Sequence, residues 1–475
     1  MSNIQKSTRR SFIKNSAVTV GFLGLQACAH RSAGLLSPAA ASIGPESVAQ
    51  GYGPLQPDPK KTISLPQGFS YTSFSRTGDR MDDGLAVPGA HDGMATFPGP
   101  QGTTLIVRNH ELSPGSIKSG PYANSETAWA DVDKSKLYDR GSDEQPCHGG
   151  TTTLLFDTKS QTLLRHYYSL AGTVRNCSGG PTPWGSWLSC EESVSRAGGK
   201  LEKDHGYNFD VPATPEIGLV DPVPLKAMGR FNHEAVAVDP KSGVVYQTED
   251  RSDGLIYRFI PNKRGKLVEG GVLQALAFQG SPSRDTRNWP NSGQEALPIG
   301  QDAEVEWITL SDVDSPKDDL RQRGFDAGAA RFARGEGMFY GNGEVYFACT
   351  NGGAKQMGQI FRYAPSPYEG TSREAQEPAK LELFIESHDL ALMKSCDNLT
   401  IAPWGDVIIC EDAGASSRIV GVSPSGKLYT IGHTEIASEL AGSCFSPDGS
   451  TLFVNLQQRP GQTLAITGPW AARVD

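Results

Sequence analysis

The sequence predicts an all-β protein: a six-bladed β-propeller with inserted loops and a short helix or two. Three observations carry this. The 475 residues include 54 glycines and 32 prolines, which suits a turn-rich sheet protein better than a helix bundle. Short apolar runs alternate with Pro/Gly/Asp turns at hairpin spacing. The hairpins also share one grammar, repeated about six times along the chain.

Each copy begins with a polar residue, usually an acid. An apolar strand, a tight turn and a second apolar strand follow, and the copy ends in Glu, Asp or Asn. Glu234-Ala-Val-Ala-Val-Asp-Pro leads to Val244-Val-Tyr-Gln-Thr-Glu249-Asp250, and Asp397-Asn-Leu-Thr-Ile to Val407-Ile-Ile-Cys-Glu411-Asp412. Glu336-Gly-Met-Phe-Tyr leads to Val345-Tyr-Phe-Ala-Cys-Thr-Asn351, and Cys177-Ser-Gly-Gly-Pro to Trp187-Leu-Ser-Cys-Glu191-Glu192. Weaker copies run from Asp92 to Asn109-His110-Glu111 and from Gly442 to Asn455. In the four stronger copies the first and last polar residues stand 14 or 15 apart, the length of two short strands and a turn, so both fall at the same end of their hairpin. Further strands follow several copies, as in Gly254-Leu-Ile-Tyr-Arg-Phe-Ile-Pro261. Small sheets repeated in this way describe a propeller, whose inner strands bring their end residues to a common axis. Ser113–Gln145 reads as a polar insert, and Pro316–Arg334 as an insert with a short helix.

The N-terminus has a different character. Thr8-Arg9-Arg10-Ser11-Phe12-Ile13-Lys14 precedes an apolar stretch from Ala17 to Ala27, shorter than the ~20 residues that span a bilayer. This resembles a twin-arginine export signal. Ala27-Cys28-Ala29 fits a signal-peptidase site, and Leu25-Gln26-Ala27-Cys28 fits lipid attachment at Cys28. The expected organisation is a signal at 1–29, a flexible leader at 30–60 and a single propeller domain at 61–475. The expected location is periplasmic or secreted, with the twin-arginine translocase as a partner during export. Either cut removes Lys6, Arg9, Arg10 and Lys14 and no acid, making a net charge of −9 four units more negative. That balance argues against nucleic acid or an anionic membrane as partner. Of eight cysteines none forms a C-x-x-C pair, so no zinc ribbon or thioredoxin-type motif is indicated.

The grammar predicts a ring of ligand-type side chains at one mouth of the channel. Its members are Cys177, Glu191, Glu192, Glu234, Glu249, Asp250, Glu336, Asp397, Glu411 and Asp412, with Asp92, Asn109, His110, Glu111 and Asn351 beside them. So many carboxylates cannot stay ionised in a partly desolvated site without cations. Oxygen ligands suit Ca²⁺ or Mg²⁺, and a carboxylate set with one thiolate suits Fe³⁺. Cys177 takes a place that acids hold in other copies. Arg334, two residues before Glu336, can clamp a phosphoryl group or pair with the acids.

Asn176-Cys-Ser-Gly-Gly-Pro-Thr-Pro-Trp-Gly-Ser-Trp-Leu-Ser-Cys-Glu-Glu192 resembles a signature of the PhoX family of alkaline phosphatases. So do Gly229-Arg-Phe-Asn-His-Glu-Ala-Val-Ala-Val-Asp-Pro240, Val245-Tyr-Gln-Thr-Glu-Asp-Arg-Ser-Asp-Gly254, Arg334-Gly-Glu336, Asn109-His-Glu111 and Cys396-Asp-Asn-Leu399. The resemblance runs from about residue 60 to the C-terminus. It implies a six-bladed propeller that hydrolyses phosphate monoesters at a centre of two ferric ions and several calcium ions. By that analogy Cys177, Glu191, Glu234 and Glu336 hold iron, with Glu192 as the alternative to Glu191. Glu249, Asp250, Asp397, Glu411 and the Asn109–Glu111 segment hold calcium or complete the centre, and Arg334 contacts phosphate. The substrates implied are small phosphomonoesters, and the chain is expected to act as a monomer. Two other readings of the residues stay open: another metal-dependent propeller hydrolase such as a lactonase, and a non-catalytic calcium-binding propeller.

Overall fold

The structure, a computed structural model, describes residues 48–475 except 124–127, 143–144 and 458–459. The twin-arginine segment, the processing sites and Cys28 lie outside the described residues. The fold is all-β and propeller-like. Among the described residues the α-helices are short, Ala128–Asp131 and Leu320–Asp326, the second inside the insert expected to hold one.

Six strands line the centre: His91–Pro98, Asn176–Pro181, His233–Val238, Gly335–Gly341, Cys396–Ile401 and Leu440–Phe445. Each packs against the next in that order, and the last packs against the first. Behind them the sheets are antiparallel. Four have three or four strands, and one has nine. In the nine-stranded sheet the runs behind His233–Val238 and Gly335–Gly341 join where Asp302–Glu304 pairs with Lys380–Glu382.

The strands read as unbroken apolar runs because both faces are covered. In Glu234-Ala-Val-Ala-Val238, Val236 and Val238 pack in the cluster of Leu188 and Tyr257, and Ala235 and Ala237 in that of Met338 and Phe347. Each valine so buried contributes roughly 1.5–3 kcal/mol. Inner strands approach so closely that a Cβ on Gly93 would lie 2.5 Å from Ser178 Cα, and one on Gly337 2.6 Å from Asp397 O. The ends of the chain meet in one sheet: Ser70–Phe74 pairs with Gln462–Thr467, covering what would otherwise be a free edge.

Residues 48–60 correct the expected flexible leader. Ala49 is buried and donates its N–H to Leu428 O, Gly51 exchanges backbone hydrogen bonds with Val474, and Leu55–Gln56 pairs with Leu65–Pro66. Tyr52 packs edge-on against Phe69, Tyr429 and Trp470. The polar, Pro/Gly-rich text of this segment conceals a strap held by backbone bonds, the Tyr52 ring and the Asp58 carboxylate, which accepts from Thr62 N, Ile63 N and Tyr71 Oη.

Candidate metal centre

Every inner strand carries a β-bulge at the same place. Pairing skips from His91 to Met94, Asn176 to Gly179, His233 to Val236, Gly335 to Met338, Cys396 to Leu399 and Ala441 to Cys444. A bulge sets two residues against one and re-aims their side chains. The first bulged residues are Asp92, Cys177, Glu234, Glu336, Asp397 and Gly442. Five ligand-type side chains are thereby presented from equivalent positions.

Their atoms converge. Ligand atoms of Asp92, Glu111 and Cys177 lie within 4.8 Å of one another, as do those of Cys177, Glu192 and Glu234, and those of Glu234, Glu336 and Asp397. The three groups share Cys177 and Glu234, forming one continuous centre. Glu234 is 1% exposed, and neither carboxylate oxygen has a hydrogen-bond partner. A buried carboxylate left so is costly unless it is protonated or meets a cation. The Cys177 thiol points to Asp92 Oδ2 at 3.6 Å, and Gln457 donates to Asp92 and to Glu111 at 3.0 and 3.1 Å.

Electrostatics agree with this geometry. Burial, then repulsion from Asp397 and Glu192, pushes the Glu234 carboxyl well up. Burial with Glu111 and Asp397 does the same to Asp92, and burial with Asp250 and Asp397 to Glu336. Burial and Asp412 raise Asp397. Glu192 is pushed up to about 7 by burial, against the pull of Arg175. Burial and Asp92 push the Cys177 thiol up. Without cations the charged forms of these groups are therefore disfavoured. The residues fit metal: two groups combine a thiol with carboxylates, and the third is all carboxylate.

Arg334 closes one side. Its Nε and Nη2 donate to the two Asp250 oxygens at 2.8 and 2.7 Å, and Nη2 also to Glu336 at 2.5 Å. Both readings of Arg334 begin from this placement, since the ion pair holds the guanidinium beside the centre with 34% of its side chain exposed.

Thus Cys177, Glu192, Glu234, Asp250, Glu336, Asp397 and Glu111 come together around one centre. Four predicted ligands do not. Glu191 accepts from the N–H groups of Val174 and Gly206, both at 2.9 Å, and from His205 Nδ1 at 2.7 Å. Glu249 accepts from Tyr257 Oη at 2.7 Å and pairs with Arg321. Glu411 accepts from Lys394 N at 2.8 Å and three times from Arg418, through its backbone N–H, Nε and Nη2. Each of these glutamates anchors the loops beyond its strand, because it pairs directly with the residue before the bulge. Asn109 is a clamp: Nδ2 donates to the carbonyls of Cys177 and Ser178, while Oδ1 accepts from Trp187 and Ser189. Thr248, Thr350 and Asn455 likewise donate to the Glu336, Cys396 and Asp92 carbonyls.

Sequence reasoning missed Glu439. It serves the sheet whose bulge residue is Gly442, and burial with the charges of Asp397 and Asp92 raises its carboxyl well up. It stands three residues before Gly442, outside the repeated register, so no pattern marked it. Asp92 is central rather than accessory; the shared His91-Asp92 and His233-Glu234 dipeptides are the available signal. A separate buried trio, Asp139, Cys147 and His205, lies beside Glu191. No disulfide joins the described cysteines.

Fold and site define a class: a propeller-like protein built around a carboxylate-rich centre that includes a thiol. The family profile described as Alkaline phosphatase PhoX matches residues 50–461, and the chain belongs to that family, whose members are phosphomonoester hydrolases. Among solved structures it is similar to Pseudomonas fluorescens PhoX in complex with vanadate, a transition state analogue, at 18% identity and TM-score 0.64, covering 86% of this chain and 96% of that one. It is also similar, more distantly, to the gluconolactonase XC5397 from Xanthomonas campestris, at 12% identity and TM-score 0.39, covering 88% and 98%. No curated protein sequence matches the chain.

Proposed function

We propose that this chain hydrolyses small phosphate monoesters at an iron–calcium centre in the channel of a six-bladed propeller. The observation that carries the metal assignment is Glu234, a buried carboxylate with two unpartnered oxygens among Cys177, Glu192, Glu336 and Asp397. The six-bladed reading is supported by the cyclic packing of the six inner strands.

Cys177 with Asp92, Glu111, Glu192 and Glu234 is the set for iron, since a thiolate among carboxylates suits Fe³⁺. Glu234, Glu336 and Asp397, with Asp250, Asp412 and Glu439 at the margin, form the set for calcium. When bound, these cations supply Lewis-acid polarisation of the phosphoryl group and of water. The chain's own residues bind and orient. Arg334, held by the Asp250 fork, directs its remaining donors at the equatorial phosphoryl oxygens and offsets charge that develops there. Fixing that guanidinium beforehand matters because phosphate-monoester hydrolysis is among the slowest uncatalysed reactions. The carbonyls at and beside the bulges, tied down by Asn109, Thr248, Thr350 and Asn455, keep the ligand-bearing residues from relaxing apart.

Export by the twin-arginine route to the periplasm or beyond completes the reading, with residues 1–29 as signal, Cys28 as the point of any lipid anchor and a monomeric mature protein. The test is turnover of p-nitrophenyl phosphate by the exported protein. Hydrolysis that disappears on chelation and in Glu234→Gln is the expected result. Turnover of a lactone without any phosphomonoester, or binding of calcium with no turnover, would overturn it.

A further inference from the structure

Arg334 has an internal counterpart. Four of the inner strands are preceded by a non-glycine residue in the left-handed region: Ala90 (φ 49°), Arg175 (φ 51°), Arg334 (φ 51°) and Ser395 (φ 46°). These positions are equivalent. The carbonyl of each accepts the N–H of the residue that follows the partner strand, namely Glu111, Glu192, Thr350 and Asp412. The left-handed conformation costs an ordinary side chain roughly 1–2 kcal/mol, and such strain collects at functional sites. Two of the four places hold arginine.

We propose that Arg175 is a second phosphoryl-binding residue, acting with Arg334 from an equivalent position on another strand; this rests on the phosphatase reading above. Arg175 Nη2 pairs with Glu111 at 2.8 Å and with Glu192. Those acids belong to the two groups that share Cys177, whereas Glu336, the partner of Arg334, belongs to the third. Through these acids the two arginines between them touch all three groups of the centre. They are also its outer layer: the side chains are 41% and 34% exposed, against 9% for Glu192 and 3% for Glu336. A dianion approaching the centre meets both cations before it meets the carboxylates. Arg175 Nε is buried without a hydrogen-bond partner, so the guanidinium is not fully matched by its acids. A cavity of about 500 Å³ lies alongside, lined by Glu111, Leu112, Ser116, Lys118 and Gln457, and Leu112 O accepts the Arg175 N–H at 3.0 Å. It gives room, with hydroxyl and ammonium groups, for a polar alcohol portion of the ester beside Arg175.

The alternative is charge balance alone, with Arg175 neutralising Glu111 and Glu192. The two differ in what Arg175→Met and Arg175→Lys do to competitive inhibition by inorganic phosphate, to KM and kcat for p-nitrophenyl phosphate, and to bound iron and calcium. Phosphate binding predicts that the inhibition constant and KM rise roughly 10- to 100-fold in Arg175→Met with metal content kept. Arg175→Lys restores only part of this, because lysine lacks the planar fork. Unchanged phosphate inhibition, with altered metal content or melting that Arg175→Lys fully repairs, would overturn the proposal and leave the phosphatase reading intact. A wild-type protein that neither turns over the ester nor binds phosphate would overturn both.

Discussion

The Cys177 thiol lies 3.6 Å from Oδ2 of Asp92, and the two side chains hold the same position in neighbouring sheets, the first bulged residue of an inner strand. The centre is thus built by one backbone device repeated around an axis, with the chemistry varied by residue type. The same bulge position already carries an aspartate at Asp92 and at Asp397, so the ligand class at Cys177 can be exchanged without altering the backbone.

Cys177→Asp is therefore expected to fold, to keep calcium and to lose most of its iron, since the thiolate is the softer ligand. Metal analysis of the purified variant checks this, and full iron retention would count against Cys177 as a ligand.

Glu234→Gln separates stability from metal binding. Burial raises the Glu234 carboxyl, so the metal-free native state holds a proton that the unfolded chain releases above about pH 4.5. Stability contributed by that proton is lost as pH rises, and glutamine has no proton to lose. At pH 8 the metal-free variant should be more stable than metal-free wild type in urea denaturation, and the difference should shrink as pH falls towards about 4.5. The same variant should lose more than ~100-fold in kcat, beyond the usual cost of disturbing a residue behind a ligand. Equal stabilities at pH 8 would mean that Glu234 is not desolvated as described.

Cation binding should release protons. Glu192 sits at about 7, and Asp92, Glu336 and Asp397 are raised. Cations displace those protons, so affinity should strengthen from about pH 6 to about pH 8. Titrating the metal-free protein with calcium in weak buffer measures the release directly; a pH-independent affinity would contradict it.

His205 tests the corrected role of Glu191. Burial opposes its charge, but Glu191 and Asp139 outweigh burial and push it up to about 12. A raised histidine contributes stability that is complete below about pH 6.5 and fades as pH climbs towards 12. His205→Gln should cost roughly 3–5 kcal/mol at about pH 6, and less at about pH 10, while leaving the metal ratio unchanged. Loss of metal without loss of stability would return Glu191 to the centre.

Much of this is legible in the sequence. The hairpin register puts the end residues of each copy at one end of its sheet, and Cys177, Glu234, Glu336 and Asp397 fall on the first bulged residues because each copy starts at its bulge. The partner strand is harder. Counting alternation cannot show a bulge, and a bulge decides whether Glu191 or Glu192, and Glu249 or Asp250, turns inward. Asn109 misleads because a carboxamide that clamps a carbonyl has the same letter as one that binds a cation. Glu439 lies outside the repeat, and the strap at 48–60 is held in part by backbone bonds that composition does not encode.

The most direct test of the central claim is elemental analysis of the protein exported in its folded form, wild type beside Cys177→Ala. Iron together with calcium in the wild type, with iron lost and calcium retained in the variant, is the predicted result. Calcium alone in the wild type, or iron unchanged by the substitution, would contradict an iron–calcium centre organised around Cys177.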